Sequence, residues 1–272
     1  MLFLYFYKIL KYKKSIMIKK YFFKEVPSTN DIAKELLKSE DLIVAYADYQ
    51  SKGRGRNENK WFGNSGENIY CSFGIRHKIS ISIDQVIIFQ ALGAIIVANA
   101  LREITSEYLN SNILNETVNF KIKYPNDVMA EMKNGEFGKI CGVLAEHSFQ
   151  GEECTESIIG IGVNINQTKF SGITANTPTS LKLLLNTEFD SKKIFNSMVD
   201  NFMKIRELEY SKLLEIWRKE LNFENKIAII KNKNDKYKII ELLQNGEIKL
   251  QNIATNLFEF IDNGDSIRYD LR

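Results

Sequence analysis

The dipeptide Asn134-Gly135, set between two apolar runs, constrains this chain more than any other pair of residues in it. Residues 128–132 precede it and residues 137–146 follow it. The two central positions of a tight hairpin take positive φ, which Asn tolerates and Gly adopts freely. The flanking runs are therefore expected to fold back on each other as antiparallel strands. Residues 120–124 also have strand character and stop at Pro125, which has no N–H for a ladder. Residues 18–23, 42–48, 68–75 and 157–165 read as further strands.

Helical spacing fills the intervals. Ser28 or Thr29 can cap a helix over residues 31–38, where Ile32, Ala33, Leu36 and Leu37 make one stripe. Val86, Phe89, Gly93, Val97, Ala100 and Ile104 recur at the helical period, predicting a long buried helix over residues 83–105. Residues 106–117 are polar and Asn-rich and read as a loop or a frayed end; residues 166–178 read as an irregular connection. Helical stretches follow at 180–185 and about 191–221. From Phe223 the texture changes to short alternating segments at 227–230, 238–242, 248–250 and 257–261, which suggest a small β-barrel. The expected class is α+β: a mixed sheet with helices over residues 17–222, and a barrel over 223–272.

Composition excludes little but sets bounds. At 272 residues, 44% hydrophobic and 26% charged, the chain is ordinary for a globular protein. A net charge of +3 is too mild to imply nucleic acid by itself. Cys71, Cys141 and Cys154 are odd in number and irregularly spaced, which fits a reducing, cytoplasmic setting rather than a disulfide framework. The apolar start is too short to span a bilayer, so no membrane partner is expected. Residues 1–16 are expected to be dispensable, with the first strand following Met17.

Several segments carry possible chemistry. In Gln50-Ser51-Lys52-Gly53-Arg54-Gly55-Arg56, glycines alternate with arginines, and Trp61 follows. A guanidinium pairs bidentately with phosphate or carboxylate, so the loop is either an anion clamp or a solvated basic turn. Lys139 lies on the returning hairpin strand beside Gly138 and Gly142; it either snorkels or points into a site that needs fixed charge. Asn126 and Asp127 follow Lys123-Tyr124-Pro125 and could hold a metal-bound phosphate or a ribose, or simply close an Asx-turn. Gly160 and Gly162, ahead of Asn164, lack the third glycine and the helix of a dinucleotide loop; glycines facing a flat ligand fit better. His77 and His147 lie too far from the cysteines for a zinc site, and Cys141 with His147 reads as packing.

Taken in order, these segments resemble the biotin–protein ligases. The resemblance runs through Ser28-Thr29-Asn30, Gln50 with Gly53-Arg54-Gly55-Arg56 and Trp61, residues 66–72, Lys123-Tyr124-Pro125-Asn126-Asp127, residues 139–146, residues 159–164 and Thr179-Ser180-Leu181. It implies a catalytic unit like that of class II aminoacyl-tRNA synthetases with an SH3-like C-terminal barrel. It also implies an enzyme that makes biotinyl-5′-AMP from biotin and Mg-ATP, then biotinylates a lysine of a carboxylase's biotin carboxyl carrier domain. By the resemblance, Ser28, Thr29, Asn30, Gln50, Gly53 and Gly142 would hold biotin. Arg54, Gly55 and Arg56 would close over carboxylate and phosphate. Trp61, Lys123, Asn126 and Asn164 would serve ATP, with Asn126 meeting Mg²⁺ through the phosphates. Lys139 would touch carboxylate and α-phosphate, and Asp127 is a candidate proton acceptor.

Departures are also visible. Asn57-Glu58-Asn59 stands where the family often continues with Gly and Arg, which implies looser loop closure. Tyr124 replaces a usual Trp and is expected to keep an aromatic wall. No helix-turn-helix precedes residue 21, so DNA binding is not expected; a homodimer is possible. The nearest rival is a lipoate–protein ligase, whose Arg-rich, triple-Gly signature is absent. A rival of another class is a non-catalytic RNA-binding protein using the Gly/Arg strip.

Overall fold

The computed structural model describes residues 17–56, 59–113, 117–170 and 176–272. The expectations for residues 1–16 and for Asn57 and Glu58 lie outside the described residues. Seven strands form the larger sheet: β1 (Lys19–Val26), β2 (Leu42–Gln50), β3 (Asn68–Ser82), β4 (Phe120–Lys123), β5 (Asp127–Glu131), β6 (Phe137–Gln150) and β7 (Glu153–Asn164). Their order is β1-β2-β3-β7-β6-β5-β4, with β1 and β2 parallel and the other pairs antiparallel. The β5–β6 hairpin turns at Asn134-Gly135, but only Gly135 takes positive φ, 78°: Gly135 N donates to Met132 O and Met132 N to Glu136 O, each at 2.8 Å, so the loop holds three residues and Asn134 keeps an ordinary φ.

Two helical layers cover the sheet. The helix α1 (Thr29–Leu36) follows β1 and buries Ala33, next to Leu37, against Ile43, Ala45 and Ile158. Ser28 takes the N-cap position without a side-chain cap bond. The helix α2 (Ile88–Ser111) lies on the opposite face, behind β4–β7, and continues through residues 106–111 rather than ending near 105. The extra turns are held by burial of Leu109 and by packing of Tyr108 on Phe189. With a preceding turn at Ile83–Gln85, this helix is apolar enough to cross a membrane by length and composition, but its residues fill the core. Gly93 sets its distance from the sheet, because a Cβ there would come within 2.6 Å of Val143.

The short α3 (Leu181–Leu185) is capped by Ser180, whose Oγ accepts from Leu183 N at 3.2 Å. The single late helix expected over 191–221 is two helices, α4 (Ser191–Ile205) and α5 (Tyr210–Leu221), which both pack on α2. The break falls between Arg206, at the C-cap of α4, and Glu209, which takes the N-cap position of α5 without a side-chain cap bond.

A second sheet completes the fold: β8 (Ile227–Ile230), β9 (Lys236–Leu242), β10 (Ile248–Asn252), β11 (Phe258–Ile261) and β12 (Ile267–Tyr269), in the order β11-β10-β9-β8-β12. The strand β12 was not expected from the sequence; it is short, and a single turn, Gly264–Ser266, separates it from the loop after β11. The two sheets share one core, in which Tyr124 stacks on Trp217 and meets Phe223.

Candidate active site

Alternation along β6 and β7 builds a floor with two faces. Val143, Ile159, Ile161 and Val163 join the core, on the side packed against α2. Gly142, Leu144, Gly160, Gly162 and Asn164 line a cavity of about 580 Å³ on the other side. Gly142 and Gly162 are register partners, and the Trp61 indole lies across both. A Cβ at Gly162 would come 2.3 Å from Trp61 Nε1, and one at Gly142 would come 2.9 Å from its Cζ3. The flat group facing these glycines in the structure is therefore the chain's own indole. Its Nε1 is buried and meets no acceptor.

Strict alternation would place Lys139 with Cys141 and Val143, facing the core. A bulge prevents this: Val128 pairs with Cys141 while the next residue, Met129, pairs with Lys139. The extra residue, Ile140, turns Lys139 to the cavity face, where its Cε would be 3.2 Å from a Cβ at Gly142. The segment after residue 176 straps the same point: Lys139 N donates to Thr177 O at 2.7 Å, and Thr179 N donates to Lys139 O at 2.9 Å. Gly138 faces this strap and Met132 rather than the cavity. The Lys139 ammonium pairs with Asp127 at 2.7 Å and sits 5.7 Å from the Trp61 ring centre.

At the α1 end, polar side chains hold one another. Gln50 Oε1 accepts from Thr29 N at 2.7 Å and Thr29 Oγ1 at 3.0 Å, and Ser72 Oγ lies 2.7 Å from Thr29 Oγ1 and 2.6 Å from Asn30 Oδ1. Asn30 Nδ2 donates to Glu146 Oε2 at 2.5 Å, and a Cβ at Gly160 would strike Asn30 Oδ1. Arg54 belongs to this end. It grips Asp31 bidentately at 3.0 and 2.7 Å and reaches Glu146 at 3.5 Å. That hydrogen-bonded guanidinium holds the Asp31 carboxyl below its usual range.

Arg56 belongs to the other end. Its guanidinium donates to Asn126 Oδ1 at 3.2 Å and to Asn263 Oδ1 at 3.1 Å, while Asn126 Nδ2 donates to Val143 O. Ser28, Thr29, Asn30, Gln50, Arg54, Gly55, Arg56, Trp61, Asn126, Asp127, Lys139, Gly142 and Asn164 all line the cavity; Gly53 and Lys123 do not. Gly53 shapes the loop instead, since Trp61 N donates to its carbonyl at 3.0 Å and a Cβ there would meet Trp61 O. Lys123 stands behind Asn176, donating to its Oδ1 at 2.9 Å, and burial lowers its pKa. Tyr124 is no cavity wall. It is buried between the sheets, with its hydroxyl on Gly246 O at 2.8 Å and Asp262 O at 3.1 Å.

Gln167, Phe170, Asn176, Pro178 and Asp265 also line the cavity and were not singled out from the sequence. The polar connection after β7 and the second sheet supply them, and no local pattern ties either to the Gly/Arg loop. His147 neighbours Cys154 at 4.0 Å and not Cys141; it shares the Ser157 hydroxyl with His77, and burial pushes its pKa down to about 4. Among the described residues no cluster of three His, Cys, Asp or Glu side chains could hold a metal ion.

A glycine floor, a Gly/Arg loop and a bulge-aimed lysine around one cavity define a small-molecule site on a mixed sheet. Residues 22–164 match the model of the biotin/lipoate A/B protein ligase family, and the chain belongs to that family. It is 29% identical over 133 residues to the bifunctional ligase/repressor BirA of Escherichia coli, a match covering 47% of this chain and 34% of that protein. It is 28% identical over 142 residues to BirA of Bacillus subtilis, covering 52% of this chain and 38% of the relative. The match thus spans little more than a third of these relatives. The fold is that of the biotin protein ligase from Aquifex aeolicus in complex with biotin and ATP: TM-score 0.66 and 23% identity, covering 93% of this chain and all of that one. It is also that of the Leishmania major biotin protein ligase in complex with biotinyl-5-AMP: TM-score 0.57 and 19% identity, covering 90% of this chain and 99% of the other.

Proposed function

We propose that this chain is a biotin–protein ligase: it joins biotin to ATP as biotinyl-5′-AMP and passes the acyl group to a lysine of a biotin carboxyl carrier domain. The observation that carries the reading is the convergence of Lys139 and Arg56, from separate elements, on one end of a cavity with a glycine floor. Family membership and the biotin, ATP and biotinyl-5-AMP named with the solved relatives support it.

The carboxylate and the triphosphate repel each other, so the protein must neutralise both while aligning them. In the first step a carboxylate oxygen attacks the α-phosphorus and pyrophosphate leaves. Lys139 and Arg56 offset the charge that builds there. Magnesium enters with the nucleotide as part of the substrate; Asn126 Oδ1 already accepts from Arg56 and serves that arginine first. In the second step the acceptor amine attacks the acyl carbon, the bond to AMP breaks, and the amine gives up a proton. Asp127 can take that proton once Lys139 has left it for the phosphate.

The α1 end, rich in neutral hydrogen-bonding groups, suits the uncharged ureido head of biotin. The proposed division places the catalytic unit, class II synthetase-like, at 17–222 and an SH3-like unit at 223–272. Cys71, Cys141 and Cys154 are free and buried, which suits the cytoplasm. Pairing of Arg54 with two carboxylates leaves the Gly/Arg strip poorly charged for RNA. The test is isotope exchange of pyrophosphate into ATP. Exchange that requires biotin and a mass gain on a carrier domain are expected; exchange that answers to lipoate instead would select the rival.

A further inference from the structure

The second sheet reaches the cavity through the turn Gly264–Ser266. Asn263 Oδ1 does two things there: it accepts from Asp265 N at 3.0 Å, capping the turn, and from Arg56 Nη2 at 3.1 Å. The turn is seated firmly. A Cβ at Gly264 would come within 2.3 Å of Pro125 Cδ and 2.4 Å of Tyr124 O, and the Tyr124 hydroxyl holds Asp262 O. An unbroken chain of contacts therefore runs from Val143 O through Asn126, Arg56 and Asn263 into the second sheet.

We infer that Asn263 is a positioning residue for the adenylation chemistry: its side-chain oxygen holds Arg56 over the cavity, so that seating of the second sheet and preorganisation of the arginine are one event. The choice of acceptors supports this. Arg56 is held by two neutral amide oxygens, which fix a guanidinium without cancelling its charge and leave it available to an arriving anion. Arg54, held by Asp31 and Glu146, is spent in its own ion pairs. Holding Arg56 in advance also lowers the ordering cost of binding.

The inference rests on the ligase reading, and its test is built so that the two can fail separately. Asn263→Ser keeps a short oxygen able to cap the turn but too short to reach Arg56 as well. In the full chain it is expected to raise the KM for ATP about tenfold in biotin-dependent pyrophosphate exchange, the size of one lost charge-assisted bond. The melting temperature is expected to stay within about 2 °C. Trypsin cleavage after Arg56, followed by mass spectrometry without any ligand, is expected to accelerate. Asn263→Asp, which keeps the acceptor but adds a carboxylate, restores protection from cleavage while leaving the KM for ATP raised, and Asn263→Ser adds nothing in an Arg56→Ala background. An unchanged KM with unchanged cleavage, or an undiminished loss in the Arg56→Ala background, overturns the role. A fall in kcat alone, matching lost folded protein, also overturns it. If the wild-type chain shows no exchange, the ligase reading falls while the cleavage comparison still decides whether Asn263 holds Arg56.

Discussion

The two ends of the cavity hold positive charge in opposite ways. At the α1 end one cation, Arg54, lies between two carboxylates, Asp31 and Glu146. At the other end Arg56 and Lys139 line the cavity with Asp127 and Asp265, Lys123 stands behind Asn176, and the guanidinium is held by amides. One end therefore sets two carboxylates against one guanidinium, while at the other Arg56 and Lys139 balance Asp127 and Asp265 and the guanidinium itself is bonded to neutral groups. Two arginines separated by one glycine in the sequence are held differently: the first by a carboxylate of α1, the second by two amide oxygens.

The largest effect that can break this comparison is at Lys139. Replacement by Ala is expected to lower biotin-dependent adenylate formation by about 10²–10³-fold, the usual cost of a lost charge-stabilising group. Melting should move by only a few degrees, and a matching collapse of both would assign Lys139 to folding. Next comes Gly162→Ala, whose Cβ would fall 2.3 Å from Trp61 Nε1. It should displace the indole and lower kcat/KM for biotin by about tenfold or more, with a shift in tryptophan emission.

Arg56→Ala should cost about tenfold in ATP use and let biotinyl-adenylate escape, seen as stray labelling of nearby lysines. Arg54→Gln sharpens the contrast. It should change the KM for ATP by less than about threefold, because its charge is already compensated, while speeding proteolysis of the loop.

The smallest effect concerns Lys123. Burial lowers its folded pKa below the ordinary 10.5, so the folded chain sheds this proton first. Between that folded value and 10.5 the unfolded chain binds more protons, and stability rises with pH across that window. Lys123→Met should flatten this rise and lift the melting temperature by about a degree or two, while weakening ATP binding. A drop in melting temperature would mean that the buried charge is stabilising.

Much of this site was legible in the chain because its parts are local. Asn134-Gly135 needs only its own φ preferences to announce a hairpin, and Gly53-Arg54-Gly55-Arg56 shows its chemistry within four residues. What stayed hidden depends on distant pairing. Alternation alone would bury Lys139, and only a bulge against β5 brings it to the cavity. Nothing near Arg54 names Asp31 or Glu146, the partners that hold its guanidinium in the structure. Tyr124 reads as a site aromatic from its motif, yet the second sheet claims it, and the same docking brings Asn263 to Arg56. The break after Ile205 and the strand Ile267–Tyr269 were missed because a short polar turn leaves little trace in helical or strand periodicity.

The central claim is that carboxylate and phosphate occupy the end that Lys139 and the amide-held Arg56 line. A crystal structure with a non-hydrolysable biotinyl-adenylate analogue tests it most directly. The account predicts the phosphate within hydrogen-bonding distance of Lys139 and Arg56, with Arg54 still on Asp31. A phosphate held by Arg54, with Lys139 still paired to Asp127, would contradict it.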